Sequence, residues 1–331
     1  MNSMFITFGI LLVSLIVILI SCEVFTNAIE WFGKKLNVGE GIVGSVFAAV
    51  GTCLPETMVP IIAIIGGAGA SVGVGAIAGA PFMLSTLAFF VTGLAVVLYT
   101  GARKRTLNMN INAEIISRDI GYFIVVYSIA ILVSFSDSWI LKAAAAVLLI
   151  CAYIYYIYLT AKRDTESNGS LEELHFAKIL RKKTRMKIIV IQLFAALGGI
   201  AAGAHFFVEA LKEASQMLHI DARILALILT PIATELPEKF NSVIWVGKGK
   251  DTLALGNITG AMVFQSCIPV SVGILFTPWR FDTALLLSAV AAILAGLMNY
   301  IMLKLNNRMS PYVLMFSGIF YLGVIAYILI Y

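Results

Sequence analysis

Ten apolar runs, each long enough to cross a lipid bilayer, follow one another along this chain and leave little sequence for anything else. Spanning about 30 Å of hydrocarbon takes roughly 20 helical residues. The runs that meet this standard lie at about 4–27, 41–65, 71–99, 119–135, 138–160, 187–212, 223–247, 252–276, 282–304 and 311–330. Hydrophobic residues make up 60% of the chain and charged residues 12%, against about 25% charged in soluble domains. This excludes a soluble globular domain, and long unbroken runs in place of short alternating segments exclude a β-barrel. The pattern predicts an all-α polytopic membrane protein with ten transmembrane helices. The first run has no basic flank and no small-residue cleavage site, so it reads as a retained helix and not a signal peptide. Cys22, Cys53, Cys151 and Cys267 sit in apolar segments with neither zinc nor disulfide spacing.

The basic residues orient the runs. With the N-terminus outside, eighteen of the 23 Lys and Arg fall in inside loops, among them Lys34, Arg103, Lys104, Arg105, Arg118, Lys248, Lys250 and Arg308. Lys142, Lys212, Arg223 and Arg280 fall outside, and Lys239 lies within a run. The positive-inside rule therefore predicts both termini external. The only long polar stretch, 161–186, becomes a cytoplasmic linker between a first half, 1–160, and a second, 187–331. It reads first as a plain basic linker that sets topology, with Leu171 to Leu180, which looks amphipathic, able to form a short surface helix. A multi-pass protein of the cell (plasma or inner) membrane follows, with the lipid bilayer as its medium and nothing that marks nucleic-acid binding.

Two of the runs carry the same unusual phrase. One reads Gly51-Thr52-Cys53-Leu54-Pro55-Glu56 and the other Ala233-Thr234-Glu235-Leu236-Pro237-Glu238. A carboxylate at that depth is costly and marks an ion or proton path, and a proline frees backbone carbonyl oxygens. At the offset of 182 that superposes the two phrases, Glu23 falls on His205 and Asn27 on Glu209. Gly75 to Ala80 matches Gly256 to Ala261 after a one-residue shift. Five runs per half put the second half in upside down, so the prediction is two inverted five-helix repeats. Their motif-bearing parts are about 41–99 and 223–276. Glu56 and Glu238 then each lie about 22 Å along their helices from opposite sides, where two carboxylates converge on one cation.

These phrases, with Ala254-Leu255-Gly256-Asn257 and the stretch to Gln265, resemble the two repeats of the sodium/calcium exchanger family, in the cation/calcium antiporter superfamily. The resemblance implies that Glu56 and Glu238 are the central cation-binding carboxylates. Thr52 and Thr234 add oxygens, as do backbone carbonyls near Ala49 and Pro231, where the helices are interrupted. Asn257 and Gln265 complete the candidate ligand set. It also implies that the first and sixth helices slide during transport. Calcium takes six to eight oxygens at about 2.3–2.6 Å, and two carboxylates balance its charge.

The departures from the family are specific. Its small polar residues are replaced by Cys53, Ala80, Pro81 and Leu84 in the first repeat, and by Glu235, Ala261 and Met262 in the second. Sodium coupling loses ligands, which leaves protons open as the counter-ion, since buried carboxylates can carry them. Lys239 follows Glu235 at i+4: either it substitutes for a coupling sodium ion, or the two neutralise each other beside the site. Glu23, His205 and Glu209 read either as a proton relay or gate, or as a satisfied polar set near the outer boundary. Cys53, Met58 and Met262 read as small apolar fillers or as ligands for a softer metal. His175 and His219 read as exposed loop residues, and Tyr153, Tyr155, Tyr156 and Tyr158 as an interfacial aromatic belt.

The sequence thus predicts a secondary cation antiporter that exchanges calcium for sodium or protons by alternating access, with no cofactor and with a monomer sufficient for transport. An antiporter or uniporter for manganese, magnesium or a softer ion, and an uncoupled channel, are the alternatives. No Ser/His/Asp set or metal-ligand helix points to an enzyme, and no Walker or GxGxxG loop points to an ATP-driven pump.

Overall fold

The computed structural model describes residues 2–35, 54–65, 70–161, 173–330. Their regular structure is helical throughout. In order the helices are α1 (Asn2–Lys35), α2 (Leu54–Ile65), α3 (Ala70–Met83), α4 (Phe89–Gly101), α5 (Ala113–Val133), α6 (Trp139–Ala161), α7 (His175–Ile179), α8 (Met186–Leu218), α9 (Ala222–Gly247), α10 (Asp251–Phe276), α11 (Thr283–Asn306) and α12 (Pro311–Ile330). A π-helical stretch, Leu84–Ala88, joins α3 to α4 into one rod. Among the described residues, 8 helices are long and apolar enough to cross a membrane.

The described helices start within two residues of the expected places except α5, which starts at Ala113 where the hydropathy predicts about 119, while α1 and α8 run eight and six residues past their expected ends; the part of the 41–65 run before Leu54 lies outside the described residues. Asn112 caps it, its side chain accepting the N–H groups of Glu114 and Ile115, and so satisfies donors that would otherwise be orphaned. Glu114, Arg118 and Asp119 are therefore helical residues and not loop.

The chain divides into two compact units, one of residues 1–69 and 151–222, the other of 70–150 and 223–331. Each unit draws on both halves of the sequence.

In the first unit α1 and α8 run antiparallel. Thr7 Oγ1 donates to Glu213 Oε2 (3.1 Å) at one end, and Gln192 Nε2 donates to the Val24 carbonyl (2.9 Å) and Asn27 Oδ1 (3.0 Å) at the other. Between them Gly199 lies against Ser21 and Gly203 against Ile18 and the Ser14 carbonyl. At 1.5 Å per residue each helix is about 50 Å long, longer than the hydrocarbon, so each crosses tilted or projects beyond it. The amphipathic linker helix is found as α7, shorter than expected. Leu174 and Ala177 pack with Ile188, Ile189, Trp31 and Phe32. Its first N–H groups are taken by side chains: His175 N donates to Asn27 Oδ1 (3.0 Å) and Phe176 N to Gln192 Oε1 (2.7 Å). His175 thus opens a helix and does not lie in a loop, whereas His219 is exposed, in the left-handed cap of α8. The tyrosines of α6 divide: Tyr155 and Tyr158 are exposed, but Tyr153 and Tyr156 are buried and stack on each other.

The second unit is held at both ends by polar contacts, buried at Arg105, Asp251 and Lys142 and exposed at Arg280 and Asp137. At one end Arg105 makes a bidentate pair with Asp251 (2.6 and 2.8 Å) and donates to the Val246 carbonyl. At the other, Lys142 Nζ donates to the Pro278 carbonyl and Arg280 pairs with Asp137. Arg105 and Asp251 come from loops expected on one side of the membrane, and Asp137, Lys142, Pro278 and Arg280 from loops expected on the other. Several residues that served only as topology charges have these second roles. Trp279 is fully buried, its Nε1 donating to the Ala130 carbonyl (3.0 Å). Its ring fills the space that a side chain at Gly273 would need, at 2.4 Å from an added Cβ.

Candidate functional site

The second phrase sits on α9, which is placed by α3. Gly75 and Gly79, one turn apart on α3, lie so close to α9 that an added Cβ would stand 2.2 Å from the carbonyl oxygens of Arg223 and Leu227 respectively. Small residues at such spacing let membrane helices approach backbone to backbone. Pro231 is buried and closes on Gly79. A proline donates no N–H to the carbonyl four residues earlier, so Leu227 loses its ladder partner where Gly79 abuts it. The helix is not interrupted near Pro231, as the family resemblance implies; α9 is helical from Ala222 to Gly247. A neighbour packed against the freed backbone keeps a proline from ending a membrane helix, and α3 is that neighbour.

On α9 the backbone of Thr234, Glu235, Glu238 and Lys239 is helical, and Glu56 lies in the first turn of α2. The side chains of these five residues lie outside the described residues, as do Ala49, Thr52 and Cys53 altogether.

The expected ligands on α10 are described. Asn257 is half-buried and Gln265 is buried. Gln265 Oε1 has no hydrogen-bond donor among the described residues, nor has the adjacent Ser266 Oγ. Pro269, inside α10, leaves the Gln265 carbonyl without its ladder N–H as well. Two buried side-chain oxygens in one turn thus lack donors among the described residues, and the carbonyl beside them has lost its ladder partner, a costly arrangement and one suited to a cation or water. The family pattern named Gln265 as a candidate; it did not name Ser266, although Pro269 downstream and the spacing of seven from Thr259 were visible.

The matching stretch of the first repeat offers nothing comparable. Ala80, Pro81 and Leu84 are buried and apolar. Ser85 and Thr86, in the π-helical stretch after Pro81, donate their hydroxyls to carbonyls of their own helix. Such π-stretches frequently occur at functional sites.

Two polar groups of this unit were missed as well. Asp119, buried on α5, accepts from Thr259 Oγ1 of α10 (3.0 Å) and from Arg118 (2.9 and 3.1 Å). Arg118-Asp119 read as the edge of a segment, which hid a carboxylate inside one. Asp251, at the start of α10, is 1% exposed and holds Arg105.

In the first unit the candidates Glu23, His205 and Glu209 form two pairs. His205 Nε2 is 3.3 Å from Glu209 Oε1, both side chains being more than half exposed. Glu23 lies 3.9 Å from His175 of the linker helix. Asn27, the partner of Glu209 in the repeat, is buried and joined to Gln192. Among the described residues no three His, Cys, Asp or Glu side chains cluster as a metal site, and Cys22, Cys151 and Cys267 form no disulfide.

Residues 6–162 and 188–330 match the family described as sodium/calcium exchanger protein. The chain belongs to that family. Its members are membrane transporters and not enzymes, and the fold agrees. The putative antiporter CaxA of Alkalimonas amylolytica is 24% identical over 320 residues, 94% of this chain and 95% of that one. An uncharacterized membrane protein of Methanocaldococcus jannaschii is 25% identical over 271 residues, 81% of each chain. Among solved structures, the H+/Ca2+ exchanger CAX superposes with a TM-score of 0.76 at 15% identity, covering 96% of this exchanger-family chain and 82% of CAX. The sodium-calcium exchanger NCX_Mj superposes at 0.58 with 20% identity, covering 98% and 99%.

Proposed function

We propose that this protein is a secondary antiporter that binds a divalent cation, calcium first, on Glu56 and Glu238 and exchanges it for sodium or protons by alternating access. The observation that carries the reading is the doubled Leu-Pro-Glu phrase in a chain of the sodium/calcium exchanger family. Thr52, Thr234, Asn257, Gln265 and backbone carbonyls near Ala49 and Pro231 complete the oxygen set. The donor-free Gln265 and Ser266 oxygens support a role for α10, and hard oxygen ligands suit calcium. Protons gain weight as counter-ion because Ala80, Pro81, Leu84, Ala261 and Met262 stand where the family has polar groups. Lys239 beside Glu235 is the proposed substitute for a coupling sodium ion.

Ten spans in two inverted repeats, with both termini external and the linker cytoplasmic, remain the architecture of this reading. One internal relation supports it. Exchanging the repeats at the offset of 182 turns the contact of Ile18 with Gly203 into one between residues 21 and 200, and Ser21 touches Gly199. It turns Thr7–Glu213 into residues 31 and 189, and Trp31 packs on the cluster containing Ile189.

Uptake of calcium, manganese and magnesium into proteoliposomes, with outward sodium or proton gradients, tests the function. Glu56→Gln and Glu238→Gln are expected to abolish it. Transport untouched by both removes the site assignment. Uptake that dissipates gradients with no trans counter-ion identifies a channel or uniporter. In Lys239→Leu an unaltered sodium and proton dependence rules out the substitute-ion role.

A further inference from the structure

We propose that Asp119 and Thr259 are positioning residues that set the rotation of α10 and thereby the placing of Asn257 and Gln265; this rests on the reading that those two belong to the ion site. Thr259 lies two residues after Asn257 and six before Gln265 on one continuous helix. Its hydroxyl donates to Asp119 Oδ2 at 3.0 Å, with both residues almost fully buried. The other carboxylate oxygen, Oδ1, takes the Nε and Nη2 groups of Arg118, the preceding residue. The negative charge is thus neutralised on the helix that carries it, about 9 Å in from the start of α5.

α10 has a second anchor at its first residue. Asp251 accepts two hydrogen bonds from Arg105 and one from the backbone N–H of Asn110 (2.8 Å). Thr252 Oγ1 accepts from the N–H of Asn112 and donates to the carbonyl of Asn110. This lower clamp fixes the depth of the helix but acts at its end. The upper contact, two turns further in, aligns at one rotational setting only. Both anchors come from one short stretch, Arg105 to Asp119, so that stretch and α10 are registered as one piece.

A contact needed only for packing would be served as well by two apolar side chains, which often stabilise more than a buried ion pair. A buried charged hydrogen bond instead selects one arrangement. Gln265, with its Oε1 donor-free, needs that selection, because ligand groups must be held to within about 0.5 Å to act.

The test is calcium transport by the full chain in proteoliposomes, with KM and kcat per folded transporter measured separately. Thr259→Val, isosteric but without the hydroxyl, is expected to raise KM three- to tenfold, up to about 1.4 kcal/mol, with kcat changed less than twofold. Thr259→Ser is expected to restore KM to within twofold of wild type. Asp119→Leu is expected to raise KM as Thr259→Val does. Should a variant give too little protein for flux, the calcium-induced rise in melting temperature of the solubilised protein reads the same affinity. An unchanged KM in Thr259→Val, while Gln265→Leu shifts it, overturns the positioning role. A lower kcat with unchanged KM also overturns it, since that is what a purely structural contact produces. If Gln265→Leu leaves KM unchanged, the assignment of α10 to the ion site fails, and the proposal with it.

Discussion

The two compact units use glycine in the same place for different ends. In the crossing of α3 with α9, Gly75 and Gly79 meet backbone carbonyls, which have nowhere to go. In the crossing of α1 with α8, Gly199 meets the hydroxyl tip of Ser21, while Gly203 meets Ile18 Cγ1 at 2.8 Å and backbone atoms of Ser14 and Ile18 only at 3.2 and 3.3 Å. Side-chain ends can rotate away; a helix backbone cannot. The same contrast holds for charge. The second unit buries Arg105–Asp251 and Asp119, whereas the first leaves His205, Glu209 and Glu23 in contact with solvent or lipid surroundings. One unit is built to keep its geometry, and the other has contacts that tolerate adjustment.

Thermal unfolding of the solubilised protein sharpens or breaks this contrast. The largest effect is expected for Arg105→Ala, which strands Asp251 in the interior; removing one partner of such a pair costs about 3–5 kcal/mol. Next comes Gly79→Ala, which drives a methyl into the Leu227 carbonyl and Pro231, at about 1–3 kcal/mol. Gln192→Leu is smaller: it removes hydrogen bonds to Val24, Asn27 and Phe176, each worth about 0.6 kcal/mol in membrane proteins. Hydrogen exchange at the amide of Phe176 should rise with it. The smallest is Gly199→Ala, below about 1 kcal/mol, because Ser21 can turn its hydroxyl aside. If Gly199→Ala destabilises as much as Gly79→Ala, the distinction between the two crossings fails.

Much of the layout was legible in the sequence because membrane spans advertise themselves by length and hydropathy. The helices α6, α8, α9, α10 and α12 start within a residue or so of the expected places. The error at α5 has a physical cause. Glu114, Arg118 and Asp119 depress local hydropathy, but an Asn112 cap and buried partners make helix the better state. Of the candidate ligands, Gln265 was chosen from a pattern, and its Oε1 is buried without a donor among the described residues. Ser266 was not, since a serine in a membrane helix ordinarily satisfies itself on the preceding turn, as Ser271 does on the Cys267 carbonyl.

The sequence by itself determined that this is a helical membrane protein, where its spans fall, and that two carboxylates recur beside prolines in matching runs. These follow from composition and spacing, which need no partner. Only the tertiary structure decided what each polar residue meets. It turned Arg105 from a topology charge into a clamp on α10, joined Asp119 to Thr259, pinned the linker helix with Asn27 and Gln192, and parted Glu23 from His205. Hydrogen bonds act over about 3 Å, and which groups come that close is set by helix packing across residues more than a hundred positions apart.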